Sequence, residues 1–555
     1  MKFINKISQI RHLVTQTTKP HYVTTPIFYV NAAPHIGHLY SSVIADAISR
    51  FERLLHPDRE LLFSTGTDEH GSKIQQAAAR NNITTGQYCD LISSKYRKLF
   101  DEASVCPSRF IRTTDSDHKT AVQAFWRRLS EKNLIYTTNY SGWYCVSDEC
   151  FLSEDQLKQL PSGERVSDES GHPVEWTEER NYMFKLSAFQ DEVVRWAESD
   201  SRIKPLKYQK ILLHFLREPL PDISVSRPKE RVSWGIDVPG DASQTIYVWL
   251  DALVNYLTSV GYPNDTLRHW PPDVQVLGKD ILKFHGIYWP AFLIAAGMEP
   301  PRELFVHSHW TVDDQKMSKS KFNVVDPFER AGIYTMEGLR YFLLHEGVAH
   351  SDGNYSDTKI FRMLNAELAD TLGNLLSRCC AKVLNPRQIV PFANFELDSS
   401  DEYREMQDLV QNLPEICLKH YREHNFYLVI DSVMACLHAN NKFFEATKPW
   451  ELRKTGKNED LMKLDAILGA TMENLRICGI ILQPIIPKMA GKLLDKLNVP
   501  AEKRFWADLQ ENINVERPLG SEQAALFQRI YPQKASEVPK TPKKVKNPNK
   551  KKLAQ

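Results

Sequence analysis

No stretch of this 555-residue chain is apolar for long enough to cross a bilayer, which excludes a helical membrane span. A disulfide framework is missing as well. Nine cysteines, an odd number without paired spacing, exclude a small cross-linked secreted scaffold and point to reduced thiols inside a cell. Nor is there an excess of charge of one sign. Against 70 Lys and Arg stand 69 Asp and Glu, so no whole-molecule field draws the chain to a polyanion, and any such contact must come from local basic patches. Internal repeats are absent, which excludes a solenoid. What remains, at 42% hydrophobic and 25% charged residues, is the composition of an ordinary soluble protein long enough for several domains.

Acid is also missing from the N-terminus, where the first acidic residue is Asp46. Residues 1–20 carry Lys2, Lys6, Arg11 and Lys19, while Ile4, Ile7, Ile10, Leu13 and Val14 fall on one helical face. This acid-free amphipathic pattern predicts a mitochondrial transit segment and the mitochondrial matrix as destination, since a secretory signal needs a continuous apolar core. At the other end, residues 533–555 hold Lys534, Lys540, Lys543, Lys544, Lys546, Lys550, Lys551 and Lys552 against the single acid Glu537. With no apolar groups to bury, this tail is predicted to be disordered, and its charge suits a nucleic acid backbone.

Two short strings carry the chemistry. The first, His35-Ile36-Gly37-His38, follows the β-branched and aromatic run Tyr22 to Val30, which reads as a buried strand. After it, Leu39, Val43, Ile44, Ala47, Ile48, Phe51 and Leu55 recur at helical spacing. The string therefore opens a helix, where free backbone N–H groups and the helix dipole favour phosphate. Gly37 would let an adenine ring lie on bare backbone, and His35 and His38 would donate to phosphates as charge develops. Two capping histidines are the plainer reading. Chance would produce His-x-Gly-His about 0.02 times in a chain of this composition. The second string, Lys316-Met317-Ser318-Lys319-Ser320, sits in a polar stretch. Lys316 and Lys319 on a closing loop would stabilise a departing pyrophosphate more in the transition state than in the ground state.

Together these strings resemble the two signatures of class I aminoacyl-tRNA synthetases. Within that family the similarity is to the methionyl enzymes, from about Tyr22 to Pro532. It is carried also by Pro26 to Asn31, Gly66-Thr67-Asp68-Glu69-His70-Gly71, Tyr247-Val248-Trp249-Leu250-Asp251-Ala252 and Gly278 to His285. The resemblance implies an α/β Rossmann-type catalytic domain of the HUP class I synthetase kind with a connective-peptide insertion, followed by an all-α anticodon-binding helix bundle. The expected boundaries are the transit segment at 1–20, the first catalytic half at 21–128, the insertion at 129–244, and the second catalytic half at 245–310. The lysine loop and stem-contact region then span 311–359, the helical domain 360–532, and the basic tail 533–555.

The resemblance also implies roles. The methionine carboxylate would attack the α-phosphorus of ATP and expel pyrophosphate, with magnesium on the phosphates and His35, His38, Lys316 and Lys319 as the catalytic electrostatic groups, and the methionyl group would then pass to tRNA(Met). Gly37, Met317, Ser318 and Ser320 would contact ATP, with Asp280 and His309 as ribose or phosphate neighbours. Asp68 would pair with the substrate ammonium. Ile27, Tyr29, Trp249, Ala252, Leu253, Tyr256, Ile281 and His285 would line the thioether slot, a surface suited to a polarizable sulfur. Asp370, Asn374, Arg378, Pro449 and Trp450 would read the anticodon, where unstacked bases are held by aromatic stacking and edge hydrogen bonds. Many methionyl enzymes carry Cys-x-x-Cys zinc knuckles. Here Cys145 and Cys150 have the wrong spacing, no second pair follows, and His172 is the only nearby histidine, so no structural zinc is expected. The expected state is a monomer. The alternative to an active enzyme is a tRNA-binding homologue without catalysis.

Overall fold

The computed structural model describes residues 19–145, 150–152, 154–168, 171–264, 267–312, 314–317, 323–392, 400–510, 516–521 and 525–531, with backbone alone at 140, 150, 155 and 316. The predicted transit segment, apart from its last two residues, and the basic tail lie outside them.

Six parallel strands form the central sheet: β1 (His21–Tyr29), β2 (Leu61–Asp68), β3 (Arg109–Arg112), β4 (Ile203–Lys204), β5 (Val274–Gly278) and β6 (Leu304–His307). Their spatial order is β3-β2-β1-β5-β6-β4. The central strands β1, β2, β5 and β6 are rich in apolar and β-branched residues because both faces are covered. Along β5 and β6 the faces alternate: Val276 and Phe305 join one core, and Leu277, Leu304 and Val306 the other. Pairing of β1 with β2 slips between Thr24 and Ile27, where Pro26 has no N–H to give the ladder. Gly66 in β2 is required by close approach, since a Cβ there would sit 2.1 Å from the Ile111 carbonyl oxygen of β3.

Strand β4 comes from inside the stretch 129–244 and pairs with β6 at the edge of the catalytic sheet. Two residues are too few to leave a periodic signature. The rest of the insertion includes an antiparallel sheet in which Ile135–Cys145 pairs with Glu175–Phe184 and with Cys150–Leu152. Cys145 and Cys150 stand opposite each other in that pairing. Among the described residues no three His, Cys, Asp or Glu side chains are grouped to hold a metal ion, and no helix is long and apolar enough to cross a membrane.

Helix α1 (Ile36–Leu55) and helix α4 (Met336–Glu346) cover one face of the sheet, while α2 (Ser116–Glu131) and α3 (Val248–Thr258) belong to the core on the other. C-terminal to them the chain is helical, with α5 (Asn374–Cys380), α6 (Asp401–Arg422), α7 (Phe426–Thr447), α8 (Pro449–Thr455) and α9 (Asn458–Leu482). Leu475, Ile480 and Ile481 of α9 share one core with α1 and α4, so the helical region and the catalytic sheet are packed without a break.

At that junction lies a buried cation. The Arg340 guanidinium, wholly buried on α4, donates to the carbonyls of Ala103, Pro484 and Ile485 at 3.0–3.1 Å and meets Asp46 Oδ2 of α1 at 2.7 Å. Asp46 also accepts from Arg50 Nε at 2.7 Å and from the Cys106 backbone N–H at 3.1 Å. Removing one member leaves the other charged and buried. Arg340→Ala and Asp46→Ala should each lower stability by about 3–5 kcal/mol, and the double variant by much less than the sum. Urea unfolding monitored by tryptophan fluorescence checks this.

Candidate active site

Strand order reverses between β1 and β5, and in an open parallel sheet the crevice beyond the carboxyl ends at such a point is where ligands bind. A cavity of about 460 Å³ opens there. It is lined by the end of β1 (Pro26 to Tyr29), Asp68 at the end of β2, Gly278 at the end of β5, His307 to His309 after β6, and the first turn of α1. All nine residues predicted for methionine line it: Ile27, Tyr29, Asp68, Trp249, Ala252, Leu253, Tyr256, Ile281 and His285. So do His35, Gly37, His38, Asp280, His309 and Met317 from the ATP set.

Helix α1 aims its N-terminus into this cavity, and its two histidines cap it. His35 Nδ1 accepts from the Gly37 N–H at 3.1 Å, and His38 Nδ1 accepts from the His35 N–H at 3.1 Å, with the rings stacked 3.8 Å apart. A ring whose Nδ1 accepts carries its proton on Nε2, the donor that a phosphate requires. Capping and phosphate contact are thus compatible in the same side chains. A Cβ on Gly37 would meet the His35 ring at 3.0 Å and Met317 Cε at 3.9 Å, so the methionine of the second string lies against the first. Lys316 has only its backbone described, and Ser318, Lys319 and Ser320 lie outside the described residues.

The apolar end of the cavity is built from stacked and hydrogen-bonded rings. Trp249 lies face to face on Phe284 at 3.5 Å between centroids. Tyr256 donates its hydroxyl to His285 Nε2 at 2.8 Å, and His285 Nδ1–H donates to the Ile281 carbonyl at 2.9 Å. His307 repeats the pattern, donating from Nδ1 to the Ser308 carbonyl and accepting at Nε2 from Ser41, both at 2.8 Å. Complete burial drives both imidazoles down to about 4, so each is neutral with its tautomer set by its partners.

A parallel sheet with this order, a cavity at its reversal and two capping histidines at the helix entering it can be set beside known proteins. The family model described as tRNA synthetases class I (M) matches residues 21–380. The chain is 48% identical to the mitochondrial methionine–tRNA ligase of Homo sapiens over 88% of this chain and 85% of that protein. It belongs to the class I methionyl-tRNA synthetases. The probable mitochondrial methionine–tRNA ligase of Schizosaccharomyces pombe is 40% identical over 92% of this chain and 96% of that protein. Among solved structures, the methionyl-tRNA synthetase of Mycobacterium tuberculosis in complex with methionyl-adenylate superposes with a TM-score of 0.87 at 38% identity, covering 92% of this chain and all of that one.

In this synthetase several cavity residues lie outside the predicted set. His307 and Ser308 precede His309 in one string, and the signal for all three is their position at the end of a strand. Ser41, Lys73 and Asn255 line the cavity from helices, where nothing in their spacing marks them. Phe284 backs Trp249, a contact made between segments 35 residues apart.

The residues predicted for the anticodon gather elsewhere. Arg378 on α5 stacks its guanidinium over Phe444 at 4.7 Å and over Trp450 at 5.5 Å, and pairs with Glu445 at 2.7 Å. Asn374 is exposed one turn before it, and Pro449 is buried at the start of α8. Asp370 pairs with Arg529 in a stretch, Leu364–Gly373, wound with wider i→i+5 turns, where Thr371 Oγ1 donates to the Ala366 carbonyl at 2.8 Å.

Because His285 and His307 stay unprotonated in the fold down to about 4 but take up protons near 6.5 when unfolded, low pH favours the unfolded state. Their contribution is fully present above pH 6.5 and is lost as pH falls toward 4. The melting temperature should therefore drop across that window, and the drop should flatten in the His285→Gln, His307→Gln double variant, as read by thermal scans at closely spaced pH values.

Proposed function

We propose that the synthetase activates L-methionine with ATP to methionyl-adenylate, releasing pyrophosphate, and transfers the methionyl group to the 3′ end of tRNA(Met) in the mitochondrial matrix. The observation that carries the reading is the convergence of one apolar aromatic slot, one carboxylate and one helix N-terminus on a single cavity. Methionine lies with its ammonium on Asp68 and its thioether among Tyr29, Trp249 and Tyr256, where a neutral His285 adds no charge to repel an apolar side chain. ATP enters as its magnesium complex, and its phosphates approach the first turn of α1, where His35 and His38 can donate from Nε2; Lys316 and Lys319 are the cations assigned to the departing pyrophosphate. The methionine carboxylate then attacks the α-phosphorus in line. No protein nucleophile takes part, so the rate comes from positioning and from donors aimed at the developing charge. Adenine over Gly37, with Asp280 and His309 beside the ribose or phosphates, completes the assignment. Support for the mitochondrial address comes from the acid-free amphipathic residues 1–20 and from the mitochondrial names of the relatives.

Methionine-dependent ATP–pyrophosphate exchange tests the first step. Of the twenty amino acids, methionine alone should support exchange, and Lys319→Ala should reduce kcat about a hundredfold or more. Exchange with a different amino acid would overturn the pocket assignment, and none at all would favour a noncatalytic tRNA-binding role.

For tRNA, Arg378 and Trp450 form a stacked pair able to receive an unpaired anticodon base. Trp450→Ala should raise KM for tRNA about fivefold or more, as expected for about 1–3 kcal/mol of lost stacking, while leaving methionine-dependent exchange unchanged. Aminoacylation kinetics beside exchange kinetics separate the two effects.

A further inference from the structure

Behind the cavity wall, and not lining it, lies a buried network that the chemistry above does not use. Asp251, wholly buried on α3, receives His70 Nδ1 on Oδ2 at 2.6 Å and His118 Nε2 on Oδ1 at 2.8 Å. His118 of α2 is itself wholly buried and makes a second contact from Nδ1 to Thr258 Oγ1 at 2.9 Å. A carboxylate accepts and does not donate, so each imidazole turns an N–H toward it and both rings are held in one orientation.

The connections matter because of what they join. His70 is two residues beyond Asp68, the proposed anchor of the substrate ammonium. Asp251 sits on the same helix as Trp249, Ala252, Leu253 and Tyr256, the proposed walls of the side-chain slot. The backbone just after Asp68 is held from a second side, since Trp234 Nε1–H donates to the Glu69 carbonyl at 2.6 Å and the Glu69 carboxylate takes Arg112 on both oxygens at 2.7 and 3.0 Å. Between the ammonium end and the side-chain end, however, the direct link is His70 to Asp251. Burial would raise the Asp251 carboxyl, but its two imidazole partners outweigh burial and hold it at about 2, so it is charged. A buried charge of this kind is seldom the cheapest way to fill a core, and well-packed apolar side chains often serve stability as well.

We infer that Asp251 is a positioning residue for the amino acid, setting the distance between Asp68 and the thioether slot and so the length of side chain that the enzyme accepts. The inference rests on reading the cavity as the methionine site. Second-layer contacts of this kind hold the groups that touch substrate within the fraction of an ångström that recognition needs.

The experiment is ATP–pyrophosphate exchange by the full chain, with methionine and with ethionine, which is longer by one methylene. Asp251→Asn keeps the shape but cannot accept from both imidazoles. It should raise KM for methionine about tenfold or more, leave KM for ATP within about twofold, and reduce the preference for methionine over ethionine. Thr258→Val, which removes only the outermost hydroxyl, should shift the same parameters in the same direction by a smaller factor. It carries the test alone should Asp251→Asn not fold. An unchanged methionine KM and unchanged preference, or equal losses for methionine and ATP, would overturn the inference. Failure of the unaltered chain to exchange with methionine would instead overturn the reading of the cavity.

Discussion

Helix α1 has to be held at two points, and much of the structure follows from that constraint. Its first turn must hold two imidazole rings at the sheet crevice, and its middle must not move relative to the rest of the molecule. His35 and His38 secure the first point by capping the helix with Nδ1. Asp46 secures the second by meeting Arg340, whose guanidinium also binds the chain at Ala103 and at Pro484 and Ile485. Because the last two follow α9, one buried cation ties the phosphate-facing helix to the helical domain. Desolvating such a pair is costly, and it is tolerable here because the guanidinium finds three carbonyls besides its carboxylate.

The same economy of contacts explains the cavity. Acyl activation by ATP needs no protein nucleophile, so the protein has to supply shape and fixed dipoles. Neutral imidazoles at 285 and 307, each with one ring nitrogen donating and the other accepting, give polar direction without adding charge. The groups proposed for the ammonium and for the phosphates are kept at separate places, with Asp68 at the end of β2 and the histidine pair at the first turn of α1. Trp249 is held flat by Phe284, so the slot is shaped before the substrate arrives.

Much of this was legible in the chain, and the misses have physical causes. Strand β1 and helix α1 were readable because β-branched runs and helical spacing are local signals, and the observed elements, His21–Tyr29 and Ile36–Leu55, start and stop within a residue or two of the patterns. Strand β4 was not readable. Two residues have no period, and only a vacant edge on β6 makes them a strand. The stretch Leu364–Gly373 lies in the region expected to be all helix, and its wider i→i+5 turns leave the leucine spacing of a helix almost unchanged. Capping is the plainer reading of His35 and His38 in the sequence, but which ring nitrogen accepts depends on side-chain rotamers, which no motif encodes.

Residue strings by themselves determined the family and many of the side chains that meet in the cavity, because those residue types at those spacings serve one chemistry. Tertiary structure alone decided how they act together. Met317 came to rest against Gly37, Phe284 came under Trp249, and Asp251 came between His70 and His118, pairs separated by 35 to 280 residues that only the closed sheet and its packed helices bring within a few ångströms. The reason is physical. A local pattern records which face a residue turns to the core, whereas the partner it meets there depends on strand order, helix crossing and the burial of every neighbour at once.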